Sequence, residues 1–530
     1  MQQHDDLNLN IISRVAMGDV LRRRSRDAGE SEALVEFVDG IRQAISYRDL
    51  NNRVNQIGHG LRAHGLRQGD RIALISGNSI EFAAVLFACY KTGIVAVPVN
   101  FLQQPDDIRY NLEHAEVKAI IYQNILEELC SQCAMSLDTI SLRVSIGDTN
   151  GAADTTLDAL ASSQADDEIM DVIINDRDVA QILYTSGTTS RPKGVETSHL
   201  ALVMASMNTP INLDMRKGCA SLSVLPLFHV TAICGLHSCM QVSGKYVIHA
   251  GFDPSAVIDT LEQESIGMTV MLPMMWNACL AVPGMMERDY SSITVALYGM
   301  APMSGTLLAR LRKAFGCNFH LGSGQTEFTP IPCIFYDHSP TEFGEGNYWG
   351  VATSIAEQAV LDDDGNECAV GEIGEICWRG PLSMNGYLKN PQATAEVRLH
   401  GWHHSGDLGF IDAEGQLMFV DRKKDIIKTG GENVSSCKVE GVLTAIEGIV
   451  LSAVVGVPHP HWSEAICAVV QLIPGTALTE DEVISYCKQH LGGFEVPKRV
   501  IFVDVIDVTS TGKVKKPELR QQYSQLFADN

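Results

Sequence analysis

The sequence predicts an α/β protein in at least two units: a large N-terminal domain of parallel α/β layers that also carries an antiparallel β region, and a small α+β domain at the C-terminus. Three observations predict it. The chain has 530 residues, whereas a single hydrophobic core stops growing at roughly 250–300 residues. From Ser46 onward, stretches with helical spacing alternate with short unbroken apolar runs, the pattern of parallel strands covered on both faces. A charged run, Arg422-Lys423-Lys424-Asp425, separates two apolar stretches and leaves about a hundred residues for a second unit.

Each element follows from its own spacing. Tyr47 to His64 carries Leu50, Val54, Ile57 and Leu61 at helical intervals; Arg71 to Ser76 is a short apolar strand; Ser79 to Thr92 is helical again; Ile94 to Val99 is a strand. Similar strands recur at Val117 to Tyr122, Val179 to Tyr184, Gly267 to Leu272 and Thr294 to Tyr298. The stretch Asp148 to Asp171, rich in Asp, Ala, Ser and Thr, predicts a surface connection. Val360 to Asp364 with Gly365 predicts a hairpin, and Gly374 to Arg379 and Leu417 to Asp421 predict strands of the antiparallel region. After an apolar run, Ile426 to Gly431, the small unit reads as helix (Val439 to Ile446), two strands (Val450 to Val457, Ala465 to Leu472), helix (Glu480 to His490) and strand (Arg499 to Val503). The expected boundaries are 1–421, a hinge at 422–424, and 425–530.

Composition narrows the function. Lys and Arg number 40 against 64 Asp and Glu, a formal charge of −24, which repels phosphate backbones and anionic lipid surfaces and disfavours nucleic-acid binding. Fourteen cysteines are too few for a disulfide scaffold, and the opening residues lack a basic stretch followed by an apolar run, so a reducing cytoplasm is expected. No run approaches the ~18 apolar residues of a spanning helix, which argues against integral membrane association. The pair Cys130-Ser-Gln-Cys133 falls in a segment, Ile125 to Met135, that reads as amphipathic helix, with no second pair at zinc spacing; packing thiols are expected.

Chemistry is concentrated in five places. After the strand Val179 to Tyr184 the chain reads Thr185-Ser186-Gly187-Thr188-Thr189-Ser190-Arg191-Pro192-Lys193-Gly194. Glycine lets the backbone approach a phosphate, the hydroxyls donate, and Lys193 neutralises charge; the order does not fit a Walker A loop. The others are Leu225-Pro-Leu-Phe-His229; Leu297-Tyr298-Gly299-Met300-Ala301-Pro302 with Gly322-Ser323-Gly324-Gln325-Thr326-Glu327; Gly401-Trp-His-His-Ser-Gly-Asp407 with Asp421-Arg422; and Lys424, Gly430-Gly431-Glu432 and Ser510-Thr-Gly-Lys513-Val-Lys-Lys516. The pairs His403-His404 and His459/His461, without further clustered ligands, read as packed turns.

In this order, and over nearly the whole chain, these strings resemble the adenylate-forming superfamily of acyl-CoA synthetases, luciferases and peptide-synthetase adenylation domains. The resemblance implies ATP, Mg2+ and coenzyme A as reactants and a small mobile C-terminal domain. Thr185 to Thr189 and Lys193 would cradle phosphates. Gly299, Met300, Ala301, Gly322, Ser323, Gly324 and Gln325 would line the adenine, Thr326 would face the α-phosphate, and Glu327 with Thr188 would hold magnesium. Asp407 would accept the ribose hydroxyls beside Arg422, and Lys513 would drive adenylation. Lys424 would be the hinge, and the loop Gly430, Gly431, Glu432 would enter for the thioester step. His229 would close the carboxylate pocket, with Ala232, Ile233, Gly235 and Tyr298 along the acyl group.

Two positions depart from the pattern. Ser190 stands where glycine is usual, and Ser323 where an aromatic commonly stacks on adenine; weaker ATP use is an expected result. The activity implied is acyl-CoA synthesis from a carboxylic acid. The competing readings are a stand-alone enzyme loading a carrier protein, luciferase-like chemistry, and a silent nucleotide-binding relative. Some long-chain members of the family that this sequence resembles carry a tryptophan gate where it has Val230 to Gly235 with Ile233 and no tryptophan, so the resemblance implies a short, medium or aryl acid rather than a very long chain. Oligomeric state stays open, a homodimer included.

Overall fold

The computed structural model describes residues 2–134, 136–185, 191–299, 303–337, 347–508 and 513–528. Two large sheets form the N-terminal part. In one, the strands Val95–Pro98, Arg71–Ile75, Ala119–Gln123 and Leu142–Ile146 run parallel, and the antiparallel pair Val179–Thr185 and Lys193–Ser198 closes one side with the short strand Gly386–Tyr387 at the edge. The other is parallel through Tyr246–Ile248, Ser221–Ser223, Met268–Met271, Val295–Tyr298 and Phe319–Ser323. It then turns antiparallel through Cys333–Phe335, Asn347–Ala352, Leu417–Arg422, Trp402–Ile411, Gly374–Arg379 and Glu357–Leu361.

Local chemistry fixes these elements. Ser46 caps the helix Tyr47–Ala63 and Ser79 caps Ile80–Thr92, each hydroxyl accepting a backbone N–H three residues on, and Gly93 at φ +68° ends the second helix in the left-handed region. Every residue of Ile80–Thr92 except Glu81 is buried, and Glu81 at the first turn pairs with Arg53 at 3.0 Å; an otherwise all-round apolar helix is covered by protein on nearly every side. Phe87 and Tyr90 from it meet His237 of the helix Val230–Gln241 edge-on, at 5.6 and 5.5 Å.

The stretch Asp148 to Asp171 is not a plain surface connection. Thr155–Thr156 adds a strand beside Val144 and Ser145, and the helix Leu157–Ser162 buries Leu157, Leu160 and Ala161. A methyl group at Gly60 would lie 2.3 Å from Leu160 Cδ2, so this glycine lets the two helices touch. Six residues are under two turns, too few for a helical period to show. The helices Gln2–Ser13 and Gly18–Asp27 and the hairpin Glu32–Val38/Ile41–Ser46, ahead of the first predicted element, also belong to the large unit. Cys130 and Cys133 are free and buried on the helix Glu127–Cys133.

Beyond Arg422 the chain builds a third sheet from Ile427–Thr429, Glu432–Val434, Ile449–His459, Ser463–Leu472 and Arg499–Val503. The helix Glu480–His490 begins with a complete capping box, Thr479 and Glu482. Two apolar clusters form the core of this unit, one on Val454, Ile466, Ala468 and Val470, the other on Val455, Val457, Cys467 and Val469. The alternation along each strand puts successive residues on opposite faces.

Candidate functional site

The phosphate-loop string begins and ends on paired strands. Thr185 is in register with Lys193 and Tyr184 with Gly194, and the Thr185 hydroxyl donates to the Lys193 carbonyl at 3.4 Å. Ser186, Gly187, Thr188, Thr189 and Ser190 lie outside the described residues, as do Met300 and Ala301. The register brings both ends of the loop together and sends Lys193 over the ring of Tyr387, 4.8 Å from its centre.

The strings around Tyr298 and Gly322, expected to line the adenine, sit where the large sheet changes from parallel to antiparallel. Tyr298 pairs with Leu321 and Ser323 with Cys333. Gly299 and Gly324 are both compelled. A methyl at Gly299 would lie 2.9 Å from the Gly322 carbonyl oxygen, and Gly324, at φ +153°, would place one 2.0 Å from Pro330 O. Ser323 is buried, and its carbonyl accepts the Cys333 thiol at 3.6 Å. Gln325 donates its amide N–H to His403 Nε2 at 2.6 Å. Burial pushes His403 down to about 4, so the ring is neutral and, accepting at Nε2, carries its hydrogen on Nδ1. Read in the sequence as part of a packed turn, His403 thus buttresses Gln325.

Thr326 and Glu327 lie in the 3-10 turn Thr326–Phe328. Phe328 is fully buried against Trp378 and His403 and anchors that turn. The Tyr387 hydroxyl donates to Glu327 Oε1 at 2.9 Å. Tyr387 carried no signal in the sequence beyond Gly386-Tyr387, a glycine and an aromatic ahead of Pro391.

Asp407 and Arg422 face each other on neighbouring strands, in register, with Arg422 Nε 3.7 Å from Asp407 Oδ1. Burial lifts the Asp407 carboxyl to about 6, against the pull of Arg422, Lys513 and Lys424. Lys513 arrives in the same space from the C-terminal tail. The residue as a whole is exposed, but protein crowding round the ammonium and then Arg422 press it down to about 8, opposed by Asp407 and Glu327. Lys424 is pressed down to about 8 by burial and by Arg422.

His229 precedes the helix Val230–Gln241 and stacks edge-on against Phe228 at 4.7 Å. Its Nε2 is buried without a hydrogen-bond partner among the described residues. Burial, with Lys513 as a lesser cause, lowers it to about 4, so it is a neutral donor or acceptor at working pH. Ala232 and Ile233 are fully enclosed in the main core. The Ala232 carbonyl accepts the Tyr246 hydroxyl at 2.8 Å, and a methyl at Gly235 would meet that hydroxyl at 3.2 Å. Tyr298 is buried in the neighbouring cluster.

Gly430 and Gly431, at φ +60° and +91°, form the two-residue turn between Ile427–Thr429 and Glu432–Val434, a geometry that demands left-handed residues at both positions. Gly430 N–H donates to the Trp462 carbonyl at 2.9 Å, and Glu432 is exposed. This turn packs on its own small unit, while Lys513 from the same unit lies near enough to Asp407 and Glu327 for their charges to act on it.

The fold and these clustered strings define a two-unit nucleotide-binding enzyme class, and comparison places the chain in it. A family model described as AMP-binding enzyme matches residues 21–388, and one described as AMP-binding enzyme C-terminal domain matches 438–513. The chain belongs to the AMP-binding enzyme family. It is 34% identical to a feruloyl-CoA synthase of Amycolatopsis over 91% of this chain and 94% of that one. It is 30% identical to a long-chain-fatty-acid–CoA ligase of Mycobacterium tuberculosis, over 96% and 98%. Among solved structures, ATP-bound MatB from Rhodopseudomonas palustris, 26% identical, matches with a TM-score of 0.87 over 96% of this chain and 99% of that one. The apo form of the same protein, 26% identical over 97% and 100%, matches at 0.77.

Proposed function

We propose that this enzyme is an ATP-dependent, AMP-forming carboxylate–CoA ligase. The observation that carries the reading is the Asp407–Arg422 pair, 3.7 Å apart on neighbouring strands, with Lys513 of the small unit near enough for the charges of Arg422, Asp407 and Glu327 to act on its ammonium. In the first half-reaction a carboxylate oxygen of the acid bonds to the α-phosphorus of ATP, the bond to the β-phosphate oxygen breaks, and pyrophosphate leaves. Two anions must approach, and the Lys513 ammonium between them offsets their repulsion and the charge that develops in transfer. Asp407, with several lone pairs, accepts the vicinal ribose hydroxyls. Neutral His229, with an uncommitted ring nitrogen, faces the carboxylate end without adding charge.

Glu327 fits a magnesium ion: Tyr387 engages Oε1, a second oxygen remains, and one carboxylate shared with substrate phosphates is a usual magnesium site. When bound, the ion neutralises phosphate charge. In the second half-reaction the CoA thiol loses its proton, its sulfur attacks the acyl carbon, and AMP leaves. We assign that step to a rotation about Lys424 that withdraws Lys513 and presents Gly430 and Gly431. The large unit is 1–421, the hinge 422–424 and the moving unit 425–530. The acid is of short, medium or aryl type.

The test is incubation of pure protein with MgATP, CoA and a mixture of short, medium, long-chain and aryl carboxylates, read by mass spectrometry. The expected result is a CoA thioester formed only with ATP, with AMP released, from an acid outside the long-chain group. Adenylate without thioester would overturn the CoA step in favour of a carrier-protein acceptor, and a thioester from long-chain acids alone would overturn the acid class.

A further inference from the structure

Residues Met384–Leu388 tie the exit strand of the phosphate loop to the Glu327 turn. Met384 N–H donates to the Glu327 carbonyl at 2.9 Å, Asn385 N–H to the Glu196 carbonyl at 2.7 Å, and Leu388 N–H to the Gly194 carbonyl at 2.8 Å. Between them Gly386 sits at φ +152°, and the Tyr387 N–H is taken by the Thr394 hydroxyl at 2.9 Å. Backbone bonds on both sides therefore fix where the Tyr387 side chain starts. The residue is 8% exposed, and its hydroxyl is bonded to Glu327 Oε1 at 2.9 Å.

Glu327 needs such a contact. It stands on a single 3-10 turn followed by Thr329 at φ +38°, and a carboxylate on a short turn rotates unless something holds it. Because Glu327 offers only acceptors, the phenol is the donor. The same ring lies under Lys193, and Lys193 makes no ion pair among the described residues.

Resting on the ligase reading above, we propose that the Tyr387 hydroxyl is a positioning residue for the metal carboxylate, holding Glu327 so that its second oxygen is aimed at a divalent cation on the ATP phosphates. Metal-ligating carboxylates are generally oriented by hydrogen bonds from an outer shell, and loss of such a bond weakens metal affinity by about 10–100-fold.

Tyr387→Phe removes only the hydroxyl and keeps the ring beneath Lys193. Mn2+ is titrated into the full chain with a non-hydrolysable α,β-methylene ATP, and bound metal is read by electron paramagnetic resonance, with analogue affinity measured separately without metal. The expected result is that Tyr387→Phe raises the half-saturating Mn2+ concentration about tenfold, leaves metal-free analogue affinity unchanged, and adds no further shift in a Glu327→Gln background. Wild-type Mn2+ dependence in Tyr387→Phe, or an equal added shift in the Glu327→Gln background, overturns the assignment. If the wild-type chain itself shows no metal-dependent binding of the analogue, it is the ligase reading that falls.

Discussion

Asp407 and Lys513 act on the same space, yet the molecule holds them there by opposite means. Asp407 is set by sheet register: it pairs with Arg422 across two long antiparallel strands, and Ser405 Oγ accepts its backbone N–H at 3.0 Å. Lys513 is set by a tail. Val514 bridges to Val508, Lys516 Nζ donates to Ser436 Oγ at 2.7 Å and pairs with Glu440 at 2.8 Å, and Arg520 pairs with Asp425 at 2.7 Å. Every one of those anchors belongs to the small unit. The Asp407 wall therefore belongs to the large unit and Lys513 to the small one, so the cation is borrowed, the division that the proposed two-step reaction requires.

The strongest way to break the comparison is Lys513→Ala. Loss of a cation that acts in the transition state should slow adenylation by about 10²–10³-fold, measured by ATP–pyrophosphate exchange, while thioester formation from supplied acyl-AMP stays nearly unchanged. Equal loss in both half-reactions would show Lys513 to be part of the permanent wall.

Titration sharpens the same contrast with a smaller effect. Asp407 is raised to about 6, so its carboxylate is lost as pH falls through that value. Lys513 is lowered to about 8, so its charge is lost as pH rises through that value. The kcat/KM for ATP, measured with excess magnesium, should be bell-shaped with limbs near these values, falling about tenfold per pH unit outside them. Lys513→Arg, whose guanidinium does not titrate, should lose the alkaline limb and Lys424→Arg should keep it. The reverse outcome would assign that limb to the hinge, since Lys424 is also lowered to about 8.

The wall was more legible in the sequence than what supports it. The strings at Gly322 and Asp407 lie inside the strands Phe319–Ser323 and Trp402–Ile411, whereas strands such as Val179–Thr185, which the Thr185 string follows directly, and Leu417–Arg422 announce themselves because unbroken apolar runs have no other use at that length. Glycines 299 and 324 are legible for the same reason, since close backbone approach leaves no alternative residue. His403 and Tyr387 were not: each acts across a sheet junction on a residue some 60 or more positions away, and no local spacing encodes such a contact. The helix Leu157–Ser162 escaped because its period is shorter than the signal needs. Lys513-Val-Lys-Lys516 by itself looks like a solvated basic tail, and only its order behind the other strings separates Lys513 from Lys516. The structure gives them different work, the first at Asp407 and the second on Glu440.

The smallest predicted effect tests whether the tail's anchors matter for chemistry. Arg520 and Asp425 are partly buried, at 26% and 10% side-chain exposure, and such a pair is worth about 0.5–1 kcal/mol after solvent screening. Arg520→Gln should loosen the tail without unfolding the small unit, whose cores lie on the two faces of its sheet. Adenylation should slow by about two- to fivefold, the factor that corresponds to that energy, and Arg520→Lys should recover part of it. Thioester formation from supplied acyl-AMP should not change, because in that step Lys513 has been withdrawn. A loss of the second half-reaction in Arg520→Gln would mean that the Asp425 pair steadies the hinge itself, and would move it from the borrowed half of the site to the permanent one.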